Sequence, residues 1–341
     1  MALDAISVGD VTEDVFIQSD DFHIDCEKNH CILKMDFSTK IAASKVDKLM
    51  GGNAGNFEIV SDRLGLKSAL FAEVGDDLAG KTILQSLQKD KVSTRYFKLK
   101  KNGETNYSVV LNKGAERTII VYHVPRTYNL GSPEKAKVLY LTSAGKGSEH
   151  YYKDAIAYKK KNKCFLGFNP GTHQMKLGLA SLKPMFSVSD VVSINVEEAQ
   201  FIFNEKSRNI RLLLEKLKAA GTKIALITDG PAGSYTFDGN EYYYCPIYDV
   251  PIVERTGCGD SFTTGFMCSL FYGNSIPEAM RWGTVNAASV ISFVGPQAGL
   301  LKSNVLKQVL NANQKFQSRK FDGSWVKTAT KYNPVKFKKF P

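Results

Sequence analysis

Short apolar runs alternate with segments of helical period along most of this chain. Ile6 to Gly9 reads as a buried strand. Val15-Phe16-Ile17 and Cys31 to Met35 read as strands of an early excursion, divided by the polar stretch from Asp20 to Asn29. Asn53 to Gly65 predicts a helix, with Phe57, Ile59, Val60 and Leu64 on its apolar face and Gly65 as its stop. A strand over Ala69 to Val74 and a helix over Gly80 to Lys89 follow. Asn106 to Leu111 and Arg117 to Tyr122 are strands flanking Asn112-Lys113-Gly114-Ala115, a hairpin turn. Strands are then expected at Val138 to Leu141, Cys164 to Phe168, Val191 to Ile194 and Ile224 to Thr228. Helices are expected over Tyr151 to Lys160, from Glu197, and over Ile210 to Ala220.

Such alternation implies right-handed crossovers and a mostly parallel sheet with helices on both faces, an α/β fold. The early strand pairs fall outside the alternation and predict a small β lid. The boundaries read as 1–14, 40–104 and 124–314 for the main α/β domain, 15–39 and 105–123 for the lid, and 315–341 for a tail.

Composition changes this picture little. A chain of 341 residues with 43% hydrophobic residues can bury a substantial core. The amino terminus lacks the basic start of a signal peptide, and no apolar stretch is long enough to cross a bilayer. The six cysteines are scattered without a CxxC pair, which fits reduced thiols and a cytoplasmic setting. The net charge of +11 suggests nucleic acid until it is located. Eight Lys or Arg against Asp322 place +7 of it between Lys315 and Pro341. That tail matches no nucleic-acid module, so a solvated tail or a strap across the surface is the plainer reading.

Two glycine-rich segments carry chemistry. Around Gly257-Cys258-Gly259-Asp260, a β segment through Val250 and Val253 is expected to run into a helix from Ser261 to Leu270. Consecutive N–H groups at such a turn, with a helix N-terminus behind them, make an anion site. An acidic residue there would repel phosphate, but it can accept the proton of an attacking hydroxyl. Asp260 could equally be a simple helix cap. In Gly51-Gly52-Asn53-Ala54-Gly55-Asn56, opening the first helix, Asn53 and Asn56 are three apart and could bond hydroxyls, or serve as ordinary caps. Both turns can meet at the carboxyl edge of one sheet.

Together with Gly9-Asp10 through Asp14, Val74-Gly75-Asp76-Asp77-x-x-Gly80, Glu116-Arg117-Thr118, Asn195-x-x-Glu198 and Thr228-x-Gly230-x-x-Gly233, these segments resemble the ribokinase (PfkB) family of carbohydrate kinases from Ile6 to about Leu301. The resemblance implies a ribokinase-like, Rossmann-type three-layer domain with a β lid, and a kinase using ATP and Mg²⁺. It implies that Asp260 is the base and that Gly257, Cys258 and Gly259 are the anion hole. Asp14, at the end of the first strand, would hold substrate hydroxyls with Gly52, Asn53 and Asn56. Asn195 and Glu198 would organise Mg²⁺ and its waters. Thr228, Gly230 and Gly233 would follow the nucleotide phosphates, and Asn286 would lie beside the adenine. The acceptor would be a primary alcohol of a sugar or, on the same machinery, of a nucleoside. Family lids sometimes pair, so a homodimer through the lid is also open.

Three departures stand out. Glu254-Arg255 replaces an Asp-Thr pair whose Asp often helps bind a monovalent cation, which leaves K⁺ dependence open here. Cys258 replaces the usual Ala, either as a passive side chain or as a thiol of lowered pKa. Thr142-Ser143 follows the strand after which sugar kinases of this group often carry an acidic residue. His23, Cys26, His30 and Cys31 could ligate a metal, though their spacing fits no common zinc module. His123 is read as a specificity or a structural residue. The rivals are a silent scaffold or RNA-binding relative, and a nicotinamide enzyme, which the missing G-x-G-x-x-G after the first strand argues against.

Overall fold

A computed structural model describes residues 3–27, 30–90 and 92–321. β1 (Leu3–Val8) is an interior strand of the main sheet, and the chain then turns outward into β2 (Thr12–Gln18). A separate hairpin, β3 (His23–Glu27) and β4 (His30–Lys34), leads to β5 (Lys45–Gly51), α1 (Asn53–Arg63), β6 (Ser68–Gly75), α2 (Leu78–Lys89) and β7 (Phe97–Lys100). The hairpin β8 (Asn106–Lys113) and β9 (Glu116–Tyr122) follows. The chain then alternates through β10 (Ala136–Leu141), α3 (His150–Asn162), β11 (Phe165–Phe168), α4 (Thr172–Lys176), α5 (Leu179–Val188), β12 (Val191–Asn195), α6 (Val196–Phe203), α7 (Ile210–Ala219) and β13 (Ile224–Thr228). It closes with β14 (Ser234–Phe237), β15 (Tyr242–Cys245), α8 (Cys258–Phe271), α9 (Ile276–Val290), α10 (Ser303–Ala312) and β16 (Arg319–Lys320).

The main sheet runs β16-β15-β14-β13-β12-β11-β10-β1-β6-β7. It is parallel from β13 to β7 and antiparallel beyond β13. Burial on both faces explains its continuous apolar strands. Along β10, Val138 and Tyr140 enter the core beneath α1, α8 and α9, while Leu139 and Leu141 enter the core beneath α3, α5 and α7. The sheet therefore separates two cores, with helices outside each. The second sheet, β5-β2-β8-β9, is the lid.

Four expectations change. Lys45–Gly51 is an edge strand of the lid, antiparallel to β2, rather than part of the main domain. It escapes detection because it is mostly exposed and has no alternating apolar face. Asp14 lies within β2 of the lid, opposite Leu49 and Ser108, rather than at the end of β1. No strand forms at Val250 to Val253: Pro251 lacks an N–H, and the Val253 and Glu254 N–H groups both bond Ile291 O. The expectation of reduced thiols fails for Cys26 and Cys31, which face each other across β3–β4 and form a disulfide. That pairing spends two of the four candidate metal ligands. The side chain of His30 lies outside the described part of the chain. Among the described residues no group of three or more His, Cys, Asp or Glu is placed to hold a metal. The first part of the tail is a strap: β16 pairs with β15, and Phe316 and Phe321 are buried. Residues 322–341, with most of its charge, lie outside the described residues.

Glu58 on α1 is fully buried and accepts from Ser7 Oγ at 3.0 Å. Burial pushes its carboxyl from 4.5 up to about 8, against hydrogen bonds from Ser68 and Ser7. Between those values the folded chain holds a proton that the unfolded chain has released. Stability is therefore highest in acid and falls by several kcal/mol, in order of magnitude, as pH rises through this window. Thermal melts from pH 5 to pH 9 should show a falling Tm, with a shallower slope in Glu58→Gln. Equal slopes would contradict this assignment.

Candidate active site

Strands β1, β10, β11, β12 and β13 are parallel, so their carboxyl ends share one edge. The polar residues Asp10, Thr142, Asn169, Asn195 and Thr228 lie there. An edge of this kind is where open α/β sheets bind ligands.

Asp260 stands in the first turn of α8. No side chain caps that helix, so the simple capping reading finds no support. Its carboxylate instead accepts a hydrogen bond from Asn56 Nδ2 at 2.8 Å. This contact joins the two glycine-rich segments across 204 residues. Burial pushes the Asp260 carboxyl up to about 6; the Asn56 bond opposes the shift and the nearby Asp14 charge adds to it. Asp14 is itself buried and raised, chiefly by burial, while hydrogen bonds from Thr12 and Ser108 hold it down. Thr12 Oγ1 donates to Asp14 Oδ1 at 2.6 Å.

Backbone conformation makes room above these carboxylates. Gly257 has φ +76°, and a Cβ there would sit 2.4 Å from Pro296 Cβ. Beside it, the position of a Gly259 Cβ is open space. Gly52, with φ +87°, brings the start of α1 so close that a Cβ would lie 2.5 Å from Asp10 O. Gly257 and Gly52 are positions that only glycine occupies without strain.

Asn195 and Glu198 form a reciprocal capping box on α6. Glu198 N–H donates to Asn195 Oδ1 at 2.7 Å, and Asn195 N–H donates to Glu198 Oε2 at 2.9 Å. Burial first, then the Asp260 and Glu197 charges, push the Glu198 carboxyl up to about 7, against the bond from Asn195. The Asn195 oxygen is spent on the cap, so Asn195 orients Glu198, whose second oxygen is the one left for a ligand. A single carboxylate oxygen suits Mg²⁺, which keeps most of its waters and binds mainly to phosphates.

Thr228 sits beside Asn195 in the β12–β13 register. The loop after it is a tight turn in which Asp229 N–H bonds Gly233 O and Gly233 N–H bonds Gly230 O. Arg208 ties Asp229 to Glu197 beside it. Asn286 stands on α9. It is fully buried, its Nδ2 donates to Ser261 O at 3.0 Å and its Oδ1 accepts from Leu301 N–H at 3.5 Å. It thereby ties α9 to α8. The Cys258 thiol is also not activated: burial pushes it up to about 11, although Arg117 and Arg255 pull the other way.

Several contacts emerge only in three dimensions. Asn53 Nδ2 donates to Asn169 Oδ1 at 3.3 Å, Asn169 Nδ2 to Ser193 O at 2.6 Å, and Thr142 Oγ1 to Asn169 O at 3.1 Å. Asn169 could have been noticed as the first polar residue after an apolar strand and just before a proline. His123 Nδ1 pairs with buried Asp10 at 2.9 Å, and Tyr128 OH donates to the same carboxylate at 3.1 Å. Arg117, at the start of β9, reaches down to Glu254.

Comparison with known proteins accords with this geometry. Residues 20–303 match the pfkB family carbohydrate kinase model. The chain is 23% identical to an ATP-dependent 6-phosphofructokinase of Thermoanaerobacterium thermosaccharolyticum, covering 82% of this chain and 90% of that one. It is 26% identical to 5-dehydro-2-deoxygluconokinase 2 of Bacillus cereus, covering 72% and 80%. Among solved structures it resembles Arabidopsis thaliana ribokinase complexed with ribose and ATP (TM-score 0.72, 19% identity, 90% and 98% covered). It equally resembles a Burkholderia thailandensis nucleoside kinase in complex with inosine (TM-score 0.75, 14% identity, 92% and 99% covered). The chain thus belongs to the pfkB family of carbohydrate kinases, and it has their ribokinase-like fold.

Proposed function

We propose that this kinase transfers the γ-phosphoryl group of ATP to a primary alcohol of a sugar, with Asp260 as general base. The contact that carries this reading is the Asn56–Asp260 hydrogen bond, which sets a raised carboxylate over an open glycine turn at a helix N-terminus. With its pKa near 6, Asp260 is mostly ionised at neutral pH yet basic enough to take a hydroxyl proton in flight. Asn56 would orient it, while Asp14 and Asn53 would hold neighbouring hydroxyls. The N–H groups of the 257–259 turn would receive the charge that develops on the transferring phosphoryl group. Glu198, oriented by Asn195, would hold Mg²⁺ through its waters, and the ion would offset phosphate charge when bound. Thr228, Gly230 and Gly233 would line the phosphates.

A nucleoside is the second acceptor class, favoured by the equal likeness to a nucleoside kinase. Coupled ADP release across sugars and nucleosides separates the two. Release with nucleosides alone would move the assignment. No acceptor-dependent release, with ATP still bound, would favour the silent-scaffold reading. ATP as donor would place the reaction in the cytoplasm.

The lid edge fits a second copy of the chain. Ile119, Ile120, Val121 and Tyr122 of edge strand β9 are all exposed, an unguarded strand that monomers usually protect. Sedimentation should show a dimer that Ile120→Glu converts to a monomer; a wild-type monomer would exclude the pairing.

A further inference from the structure

The turn entering the anion hole is tied down by a buried carboxylate. Glu254 is 1% exposed. Its Oε1 accepts from Thr256 N–H at 2.7 Å and from Thr256 Oγ1 at 2.6 Å, and its Oε2 accepts from Gly295 N–H at 3.3 Å. These bonds fix the residue before Gly257 and the residue before Pro296, the two positions that set the conformation of the turn. Neutralising charge comes from the lid: Arg117 Nε stands 3.6 Å from Glu254 Oε1. A second pair crosses the same gap, Arg255 Nε to Glu116 Oε1 at 3.0 Å, so adjacent residues of the lid and of the turn exchange charges. Leu49 of β5 completes the contact, filling the space where a Gly295 Cβ would stand, 2.2 Å from its Cδ1.

We infer that Arg117 is a positioning residue: by pairing with Glu254 it couples closure of the lid to the ordering of the anion hole. The inference rests on the kinase reading for its catalytic consequence, though not for its structural one. A buried carboxylate without its counter-charge is strongly disfavoured. When the lid lifts, Glu254 must rehydrate or release Thr256, and the turn loosens. When it closes, the guanidinium restores the turn over the acceptor, and phosphate charge is stabilised only with water excluded. The Arg255–Glu116 pair, with Glu116 68% exposed, is a weaker guide of the same closure. The chain would thereby supply its own cation beside the turn.

A double-mutant cycle tests this. Arg117→Met should lower kcat at least about 30-fold with KM for ATP within about threefold, since it disturbs the turn and not ground-state nucleotide binding. Adding Glu254→Gln removes the stranded charge and should restore at least about tenfold of that loss. Arg117→Lys should stay within about fivefold of wild type, and wild-type rates should match in potassium and in a bulky organic cation. Amide hydrogen exchange, which needs no turnover, should quicken across 255–259 in Arg117→Met and recover in the double variant. If wild-type protein phosphorylates no acceptor, the kinase reading fails while exchange still decides the coupling. A double variant as slow as Arg117→Met, unchanged exchange at 255–259, or a wild-type requirement for potassium would each overturn the inference.

Discussion

Asp260→Asn is expected to lower turnover by about 10²–10⁴-fold while leaving ATP affinity within about threefold, the signature of a lost general base. Asn fills the same volume and can still bond Asn56, whose amide would turn to offer its oxygen. The geometry therefore survives and only proton acceptance is lost. Two neighbours sharpen the expectation. Asp14 and Glu198 both interact electrostatically with Asp260, so removing its charge should relax both carboxyls toward their ordinary range. The variant should accordingly bind nucleotide no worse, because repulsion of phosphate by the carboxylate falls. Turnover within tenfold of wild type would remove Asp260 as the base.

Gly257→Ala should have the second-largest effect, about 10²–10³-fold on kcat, comparable to losing one donor of an oxyanion hole. Alanine tolerates φ +76° poorly, and its methyl group would meet Pro296 Cβ at 2.4 Å. The turn or the 295–297 loop must move, carrying the N–H groups at 258 and 259 out of line. The damage should be local. Gly259→Ala, whose added methyl group meets open space, should cost far less. Near-equal rates for the two variants would mean that the turn does not hold the transferring phosphoryl group.

Much of this was legible in the sequence. The alternating strands and helices from Val138 onward carry strong periodicity because each strand is buried on both sides and each helix on one. The two glycine turns were legible because close backbone approach demands glycine. Other features were silent. Lys45–Gly51 joins the lid through backbone pairing, with side chains that announce nothing. Asp14 fell on the wrong strand because Gly9-Asp10-Val11 reads equally well as the end of one strand or as the link to another. The Cys26–Cys31 pair needed the hairpin register to become visible. Pairwise contacts across the chain, such as Arg117 with Glu254, have no signature in one sequence.

The most direct test of the central claim is the pH dependence of kcat/KM for the wild-type kinase. Asp260 acts as base only when ionised, and its carboxyl is raised to about 6. Because Glu198 titrates nearby at about 7, the bend reports the coupled group. The account predicts a flat profile above about pH 7.5 and a fall of about tenfold per unit below pH 6. A profile that stays flat down to pH 5 would contradict it.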